Sequence, residues 1–266
     1  MNHEKRFSDL LDDFQRRGLY GFERSKVVGA LSVSSGAGSK SLSRLAANGR
    51  VKRLRKDFHV IVPVEYTRQG LPPSDWFIED LMRSLHLPYY IGLLSAARMH
   101  GAAHQQVQQL QIIVPKQERP IEVTGLSIRF FKKKDFKATQ LVSLKGHSGM
   151  LPVSSPEATA LDLVRYAHQI GGLDSVITVL SELTESMDSE RLVAVSKAES
   201  EIVYVQRLGW LLDHLGKSTL ADKMHGAIQN SKPLPRAVLD TTGPRVGSMT
   251  GNRWRILENS TPQSDL

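Results

Sequence analysis

The sequence contains no cysteine and no long apolar run, and each absence excludes a class of protein. Without cysteine there can be no disulfide, thiolate metal site or cysteine nucleophile. No apolar stretch is long enough to span a membrane. The charged start, MNHEKRFSDLLDD, also lacks the apolar core of a signal peptide. We therefore expect a cytoplasmic protein with no membrane partner.

The positive charge of the chain is concentrated in its first quarter. Of a net charge of +8 over 266 residues, residues 1–70 carry most, with 14 Lys and Arg against 7 Asp and Glu. Residues 71–266 are nearly neutral, with 21 against 20. A localised basic excess is typical of a module that binds a polyanion. Charge alone fits a solvated basic surface equally well, so the local pattern has to decide.

Residues 39–63, SKSLSRLAANGRVKRLRKDFHVIVP, contain the most informative pattern. We expect a helix capped by Ser39 that ends at Asn48-Gly49, followed at once by a basic two-stranded ribbon. Helical spacing over residues 4–17 and 23–31 adds two preceding helices. This order predicts a winged helix-turn-helix at residues 1–70, whose third helix enters the major groove of DNA while the ribbon lies along the phosphates.

The side chains expected to bind DNA lie in the third helix and the ribbon. Arg44 suits a bidentate bond to guanine, which contributes roughly 1–3 kcal/mol of discrimination. Phosphate contacts position the protein without reading sequence. The full predicted set is Ser39, Lys40, Ser41, Ser43 and Arg44 in the helix, with Arg50, Lys52, Arg53, Arg55 and Lys56 in the ribbon. The alternative is a basic domain that serves as a protein interface.

A second basic run follows a predicted strand. It is either a solvated edge that deters strand pairing or a second contact with a polyanion. Its members are Arg129, Lys132, Lys133, Lys134 and Lys137.

The remainder of the chain predicts a larger C-terminal domain after a linker at Pro72-Pro73. The overall fold class is α+β: the winged helix-turn-helix, then a mixed α/β domain at residues 74–258 with a small sheet and a helical bundle. Residues 259–266 are expected to be disordered. Helices are predicted over 75–85, 89–100, 155–170, 173–184, 189–198, 203–215 and 218–229, and strands over 107–114, 121–123, 126–131, 151–153 and 254–257.

No pattern for catalysis is found in the sequence. His100 and His104 have the spacing of zinc-protease ligands, but Gly101 stands where the required Glu would be. The carboxylates Glu157, Asp162 and Asp174 are scattered rather than paired. We expect no catalytic residue, no metal, no cofactor and no enzyme activity. The alternative of a DNA-binding nuclease would need a carboxylate–lysine cluster and a divalent metal.

Several segments in series resemble the AbiE-type (AbiEi) antitoxins of abortive-infection systems. In chain order they are YYIGLLSAARMHGA from Tyr89, QIIVP, VSSPEATALDLVRY with IGGLDSV, QRLGWLLDHLG, and RWRILEN near the end. The resemblance covers nearly the whole chain.

The resemblance implies a function that composition and spacing do not. It implies a type IV antitoxin that represses its own operon, binding inverted repeats of promoter DNA cooperatively through its N-terminal domain. The toxin would have a nucleotidyltransferase fold, and the C-terminal domain would oppose it without a stable complex. One winged helix reads a short half-site, so we expect two copies on an inverted repeat, from a monomer or weak dimer in solution.

Overall fold

The structure is a computed structural model that describes residues 3–102, 109–229, 234–247 and 251–264. Within these ranges the chain forms ten α-helices and eleven strands. The helices are α1 (His3–Arg16), α2 (Arg24–Ala30), α3 (Ser35–Ala47), α4 (Ile78–Ser84), α5 (Leu93–Met99), α6 (Pro156–Arg165), α7 (Gly172–Leu183), α8 (Ser189–Ala198), α9 (Ile202–His214) and α10 (Ser218–Ile228).

The strands are short and mostly confined to the first 154 residues. They are β1 (Gly21–Glu23), β2 (Val51–Arg53), β3 (Phe58–Ile61), β4 (Tyr90–Ile91), β5 (Gln109–Val114), β6 (Ile121–Val123), β7 (Leu126–Lys132), β8 (Leu141–Lys145), β9 (Met150–Ser154), β10 (Ala237–Val238) and β11 (Ile256–Leu257). Parallel and antiparallel pairs both occur, which confirms the predicted α+β class. No helix among the described residues is long and apolar enough to cross a membrane.

The chain divides into two compact units whose limits differ from a simple cut after the linker. The first comprises Met1–Tyr89, Gln108–Lys132 and Ser143–Pro152. The second comprises Tyr90–Val107, Lys133–Val142 and Val153–Leu266. Residues 1–70 are thus part of a larger first unit, and the domain limits given above remain a prediction.

The N-terminal part of the first unit has the element order α1–β1–α2–α3–β2–β3. Its three strands form an antiparallel sheet in the order β1–β3–β2, with Phe22 opposite His59 and Lys52 opposite Val60. The apolar faces of the helices and sheet share one core, whose buried members are Phe7, Leu11, Phe22, Val27, Leu31, Leu42, Leu45, Val51 and Ile61.

Helix α3 begins five residues earlier than predicted. Its cap is Ser34, whose hydroxyl accepts a hydrogen bond from the Ala37 N–H at 3.2 Å, so Ser39 is an interior helical residue. The Ser- and Gly-rich residues 35–38 form the first turn of the helix, and Gly38 is buried there. A Cβ at Gly38 would overlap the side chain of Val28, so close packing with α2 requires glycine.

Four strands were missed or assigned to a helix. Strands β1, β8 and β10 were not predicted. Tyr90 and Ile91 form β4 rather than the start of a helix over 89–100, because Gly92 is extended and α5 begins only at Leu93. In β4, Ile91 pairs in parallel with Val153 of β9. Strand β5 is described from Gln109 onward. Residues 107 and 108, also predicted as strand, lie outside the described residues.

The helices of the second unit largely follow the sequence pattern. Ser155 caps α6 through a hydrogen bond from the Ala158 N–H at 3.2 Å, with Pro156 in the first turn, as predicted. Helix α8 has its predicted limits, and α7, α9 and α10 differ from theirs by one residue at each affected end. Helix α6 ends earlier than predicted, at Arg165, where a separate 3₁₀ turn over Ala167–Gln169 takes over.

The C-terminal segment packs on α9 instead of being loose. Trp254 is fully buried, its indole N–H donates to Asp213 at 2.6 Å, and its carbonyl accepts from Gln206 at 2.6 Å. Of the tail predicted to be disordered, residues 259–264 have a described position. Pro262 is buried, and the Gln263 N–H donates to Asp174 at 2.9 Å. The predicted disorder of residues 259–266 stays a prediction.

A buried carboxylate joins three elements of the second unit. Asp162 of α6 accepts hydrogen bonds from the Lys133 ammonium and from the Tyr90 hydroxyl, each at 2.8 Å. Asp162 is fully buried and Lys133 is only 6% exposed. Burial, together with the adjacent Asp162, raises the pKa of Tyr90 well above its usual range, so the tyrosine stays a donor. Lys133 therefore belongs to the core and not to the predicted second basic patch.

Replacing Gly209 by Ala should lower the free energy of unfolding by about 1–3 kcal/mol, because the new methyl group overlaps the ring of buried Trp254. Chemical denaturation measures the change. Gly226→Ala is the matched control: this exposed glycine of α10 has open space around its Cβ position, so alanine should stabilise by roughly 0.5–1 kcal/mol. Equal effects of the two substitutions would contradict the packing described for α9.

Replacing Lys133 by Met should cost about 3–5 kcal/mol of unfolding free energy, because the Asp162 carboxylate would keep its buried position without a cation. Lys134→Met, at the exposed neighbouring position, should change stability by less than about 0.5 kcal/mol. Thermal and urea unfolding of both variants measure these changes in unfolding free energy. A tolerated Lys133→Met would show that the buried pair does not hold this unit together.

Candidate functional site

The predicted DNA-binding side chains of α3 fall on two sides of the helix. Lys40, Ser43 and Arg44 are exposed, and their spacing of three and four residues places them on one face. Ala47 extends this exposed face by one more turn. The opposite side is buried and consists of Gly38, Ser41, Leu42 and Leu45.

Two predictions for α3 need correction. Ser41 is only 5% exposed, so its hydroxyl lies in the core and cannot contact a base or a phosphate. Ser39 is half-buried and accepts a hydrogen bond from an Arg24 Nη1 at 2.9 Å, which makes it a structural residue rather than a cap or a reader.

The ribbon β2–β3 presents fewer free cations than the sequence suggested. Arg53 and Lys56 are exposed, and Lys52 is half-buried. Arg50 forms an ion pair with Asp12 of α1 at 2.6 Å. Strand β2 ends at Arg53, and the side chain of Leu54 is buried.

Arg55 is committed to a contact within the first unit. Its guanidinium pairs with Glu118 at 3.1 Å and also donates to the carbonyl of Arg119. A DNA phosphate would have to compete with these acceptors. The structure therefore removes Arg55 from the free cations of the ribbon.

Arg24, which the sequence did not single out, connects the helix to the ribbon. Its Nε donates to Asp57 in the β2–β3 turn at 3.1 Å, while its Nη1 donates to Ser39 of α3. Ser25 also donates to Asp57, at 2.6 Å. Burial alone would raise the pKa of Asp57, but the bonds from Ser25 and Arg24 lower it below its usual range. Arg24 lies in the first turn of α2, where a positive charge is unfavourable because it opposes the helix dipole. This position was the one feature of the sequence that could have indicated a partner for Arg24.

His59 contributes no charge to the ribbon at neutral pH. Its ring stacks on Phe22 with centroids 5.6 Å apart. Burial lowers the pKa of His59 below its usual range, and nearby Arg53 acts in the same direction. The exposed positive charge of this region thus comes from Lys40, Arg44, Arg53 and Lys56.

The second basic run is divided by burial. Lys132, Lys134 and Lys137 are exposed, whereas Lys133 is buried, as described above. Arg129 is half-buried, and its guanidinium lies 4.8 Å from the centre of the Phe131 ring. These residues also belong to both compact units. Whether the exposed members bind a polyanion stays a prediction.

The described residues contain no cluster of His, Asp or Glu that could hold a metal ion. His104 lies outside them, while the ring of His100 bonds to the carbonyl of Ser154 at 2.8 Å. The buried Glu157 accepts from the Asp188 N–H at 2.8 Å and from Arg191 at 3.3 Å. Arg207 and Trp210 make structural contacts, with the carbonyl of Val238 and with Glu258.

Comparison with solved structures establishes the fold. The crystal structure of the RV2827C protein from Mycobacterium tuberculosis matches over 97% of this chain and 91% of that chain, with a TM-score of 0.65 and 15% identity. An antigenic nucleotidyltransferase-like protein from Paracoccidioides brasiliensis matches over 55% of this chain and 89% of that chain, with a TM-score of 0.37 and 9% identity. The second likeness is too weak to carry an argument. No curated protein matches this chain.

A family model matches residues 90–214, and its description is the AbiEi antitoxin C-terminal domain. This range runs from β4 to the end of α9 and includes the buried Asp162 with both of its partners. The match of residues 90–214 to this domain confirms the resemblance to AbiE-type antitoxins and supports a role in a toxin–antitoxin system.

Proposed function

We propose that this protein is a type IV antitoxin that also represses its own operon by binding inverted repeats in the promoter. Residues 1–70 act as the winged helix-turn-helix that binds DNA, and residues 74–258 oppose the toxin. The supporting observation is the exposed face of α3, with Lys40, Ser43 and Arg44, in the same unit as the exposed Arg53 and Lys56 of the ribbon.

The element order supports this proposal because it is the order that a winged helix requires. Helices α2 and α3 form the helix-turn-helix, and β2–β3 forms the wing. The N-terminal half of a recognition helix faces base edges. Lys40 lies in that half of α3, whereas Ser43 and Arg44 follow in its C-terminal half on the same exposed face. Two copies bind one inverted repeat, one per half-site, and this does not require a dimer in solution.

The antitoxin role rests on the C-terminal domain match, and its type IV character is the finer proposal. In this scheme the partner is a toxin with a nucleotidyltransferase fold that the antitoxin counters without forming a stable complex. The protein itself performs no catalysis and needs no cofactor.

Arg44→Ala should remove most of the preference for the promoter. Fluorescence anisotropy with a promoter duplex and a shuffled duplex of the same composition measures that preference. Loss of a bidentate base contact costs about 1–3 kcal/mol, so promoter affinity should fall roughly 5- to 150-fold while binding to the shuffled duplex changes little. Arg53→Ala, which removes a phosphate contact, should weaken both duplexes about equally.

The matched control is Lys197→Gln, which removes one exposed positive charge from α8 in the second unit. Its affinity for both duplexes should equal that of the wild type. If the wild type does not distinguish promoter from shuffled DNA at moderate salt, the repressor proposal is wrong. If Arg44→Ala keeps the preference, α3 is not the reading helix.

Co-expression with the neighbouring toxin gene tests the antitoxin role separately. The wild type should relieve toxin-induced growth arrest, and a variant with both Arg44→Ala and Arg53→Ala should relieve it as well, because both changes lie outside the antitoxin domain. Expression from an unrelated promoter keeps repression out of the result. Growth arrest that the wild type fails to relieve would reject the antitoxin role, and a toxin that co-purifies stoichiometrically would reject type IV.

A further inference from the structure

The second unit contains a cleft of about 270 Å³ that the proposed functions do not use. It is bounded by the end of α6, the start of α7, one side of α9 and the segment 239–242. Its apolar lining includes Val164, Leu173 and Leu239, and its polar lining includes Arg165, His168, Tyr204, Arg207, Asp240, Thr241 and Thr242.

Arg207 is the feature of this cleft that needs an explanation. It is only 8% exposed, and its Nε donates to the carbonyl of Val238 at 2.9 Å. Among the residues that the structure describes, its two Nη groups have no hydrogen-bond partner, and no carboxylate lies within ion-pair distance. Burial lowers the pKa of Arg207 from its usual range, but a guanidinium remains charged in proteins. Tyr204 and Asp240 act on Arg207 electrostatically, but neither accepts a hydrogen bond from its Nη groups. These unused donors of a recessed guanidinium point to an anionic ligand.

The other charged groups of the cleft, Arg165 and Asp240, have hydrogen-bond partners, although the buried Nε of Arg165 has none among the described residues. Arg165 pairs with Glu199 at 2.7 Å and with Glu201 at 2.8 Å. Asp240 accepts from both the N–H and the hydroxyl of Thr242, each at 2.7 Å. Burial by itself would raise the pKa of Asp240, but the bonds from Thr242 and the Gly243 N–H lower it, and the positive charge of Arg207 lowers it further. Its lone pairs serve the turn at 240–242 rather than Arg207.

We propose that this cleft binds a small molecule through a phosphate monoester group held by Arg207. The planar guanidinium donates two parallel hydrogen bonds to phosphate oxygens. Exposed Thr241 and His168 are placed at the cleft to bond the remaining oxygens, and Leu173, Leu239 and the Tyr204 ring pack against the organic part. A tetrahedral phosphate has acceptors for several such donors at once.

The size of the cleft limits the ligand. Its volume is just below the usual range for small-molecule sites, roughly 300–1,000 Å³. A sugar phosphate is of suitable size, whereas the phosphodiester backbone of duplex DNA cannot bring its charge to a side chain as recessed as Arg207. The proposal is therefore independent of DNA binding by α3.

Isothermal titration calorimetry on the full chain, with inorganic phosphate and ribose 5-phosphate as probes, tests the proposal. We expect one site per chain, tighter binding of ribose 5-phosphate than of inorganic phosphate, and weaker binding of malonate, which offers carboxylates instead. Arg207→Lys should weaken ribose 5-phosphate about tenfold or more, because lysine keeps the charge but loses the two-pronged geometry.

Thr241→Ala provides a second variant that does not disturb the fold, since Thr241 is exposed. It should weaken binding roughly two- to tenfold through the loss of one hydrogen bond. Lys197→Gln, which does not line the cleft, should bind as the wild type does. Circular dichroism and thermal unfolding establish that each variant is folded.

Three results would overturn the site. The first is no saturable binding of either phosphate probe up to about 10 mM. The second is unchanged affinity in both Arg207→Lys and Thr241→Ala. The third is tighter binding of malonate than of ribose 5-phosphate, which would assign the cleft to carboxylates.

Discussion

The side chain of Arg24 fixes the geometry on which the proposed DNA-binding face depends. It bonds to Asp57 in the β2–β3 turn and to Ser39 in α3, so one guanidinium sets the distance between helix and ribbon. The Arg24–Asp57 pair is partly exposed and therefore contributes only about 0–1 kcal/mol to stability. Its importance is positional, while the apolar core beneath α1, α2, α3 and the small sheet supplies the stability.

The sequence predicted the helices better than the side chains that a partner would meet. Helical spacing located α1, α2 and α3 because each must bury one apolar face. It could not show that Ser41 faces the core or that Glu118, 63 residues away, pairs with Arg55. Both outcomes depend on tertiary contacts, which local pattern does not contain. The start of α3 was misplaced because Gly38, normally a helix breaker, is needed for packing against Val28.

In the second unit, the helices with strong local signals were predicted correctly, whereas the residues that make long-range contacts were not. The Ser155–Pro156 start of α6 was predicted since cap and proline act locally. The charge run at 132–134 predicted a surface, yet Lys133 is drawn inward by Asp162. The same limit applies to Arg207: its Nε bonds to the carbonyl of Val238, and only the structure shows that its Nη groups have no hydrogen-bond partner among the described residues. Family resemblance, rather than local pattern, supplied the antitoxin role.

The most direct test of DNA binding by this face is the salt dependence of promoter affinity. If Lys40, Arg44, Arg53 and Lys56 each neutralise a phosphate, log K should fall linearly with log salt concentration, with a slope of about −3 to −4 per chain. Removing the Arg53 charge should reduce the magnitude of that slope by about 1. An affinity that does not change between about 50 and 200 mM salt would contradict the account, and so would an unchanged slope without Arg53.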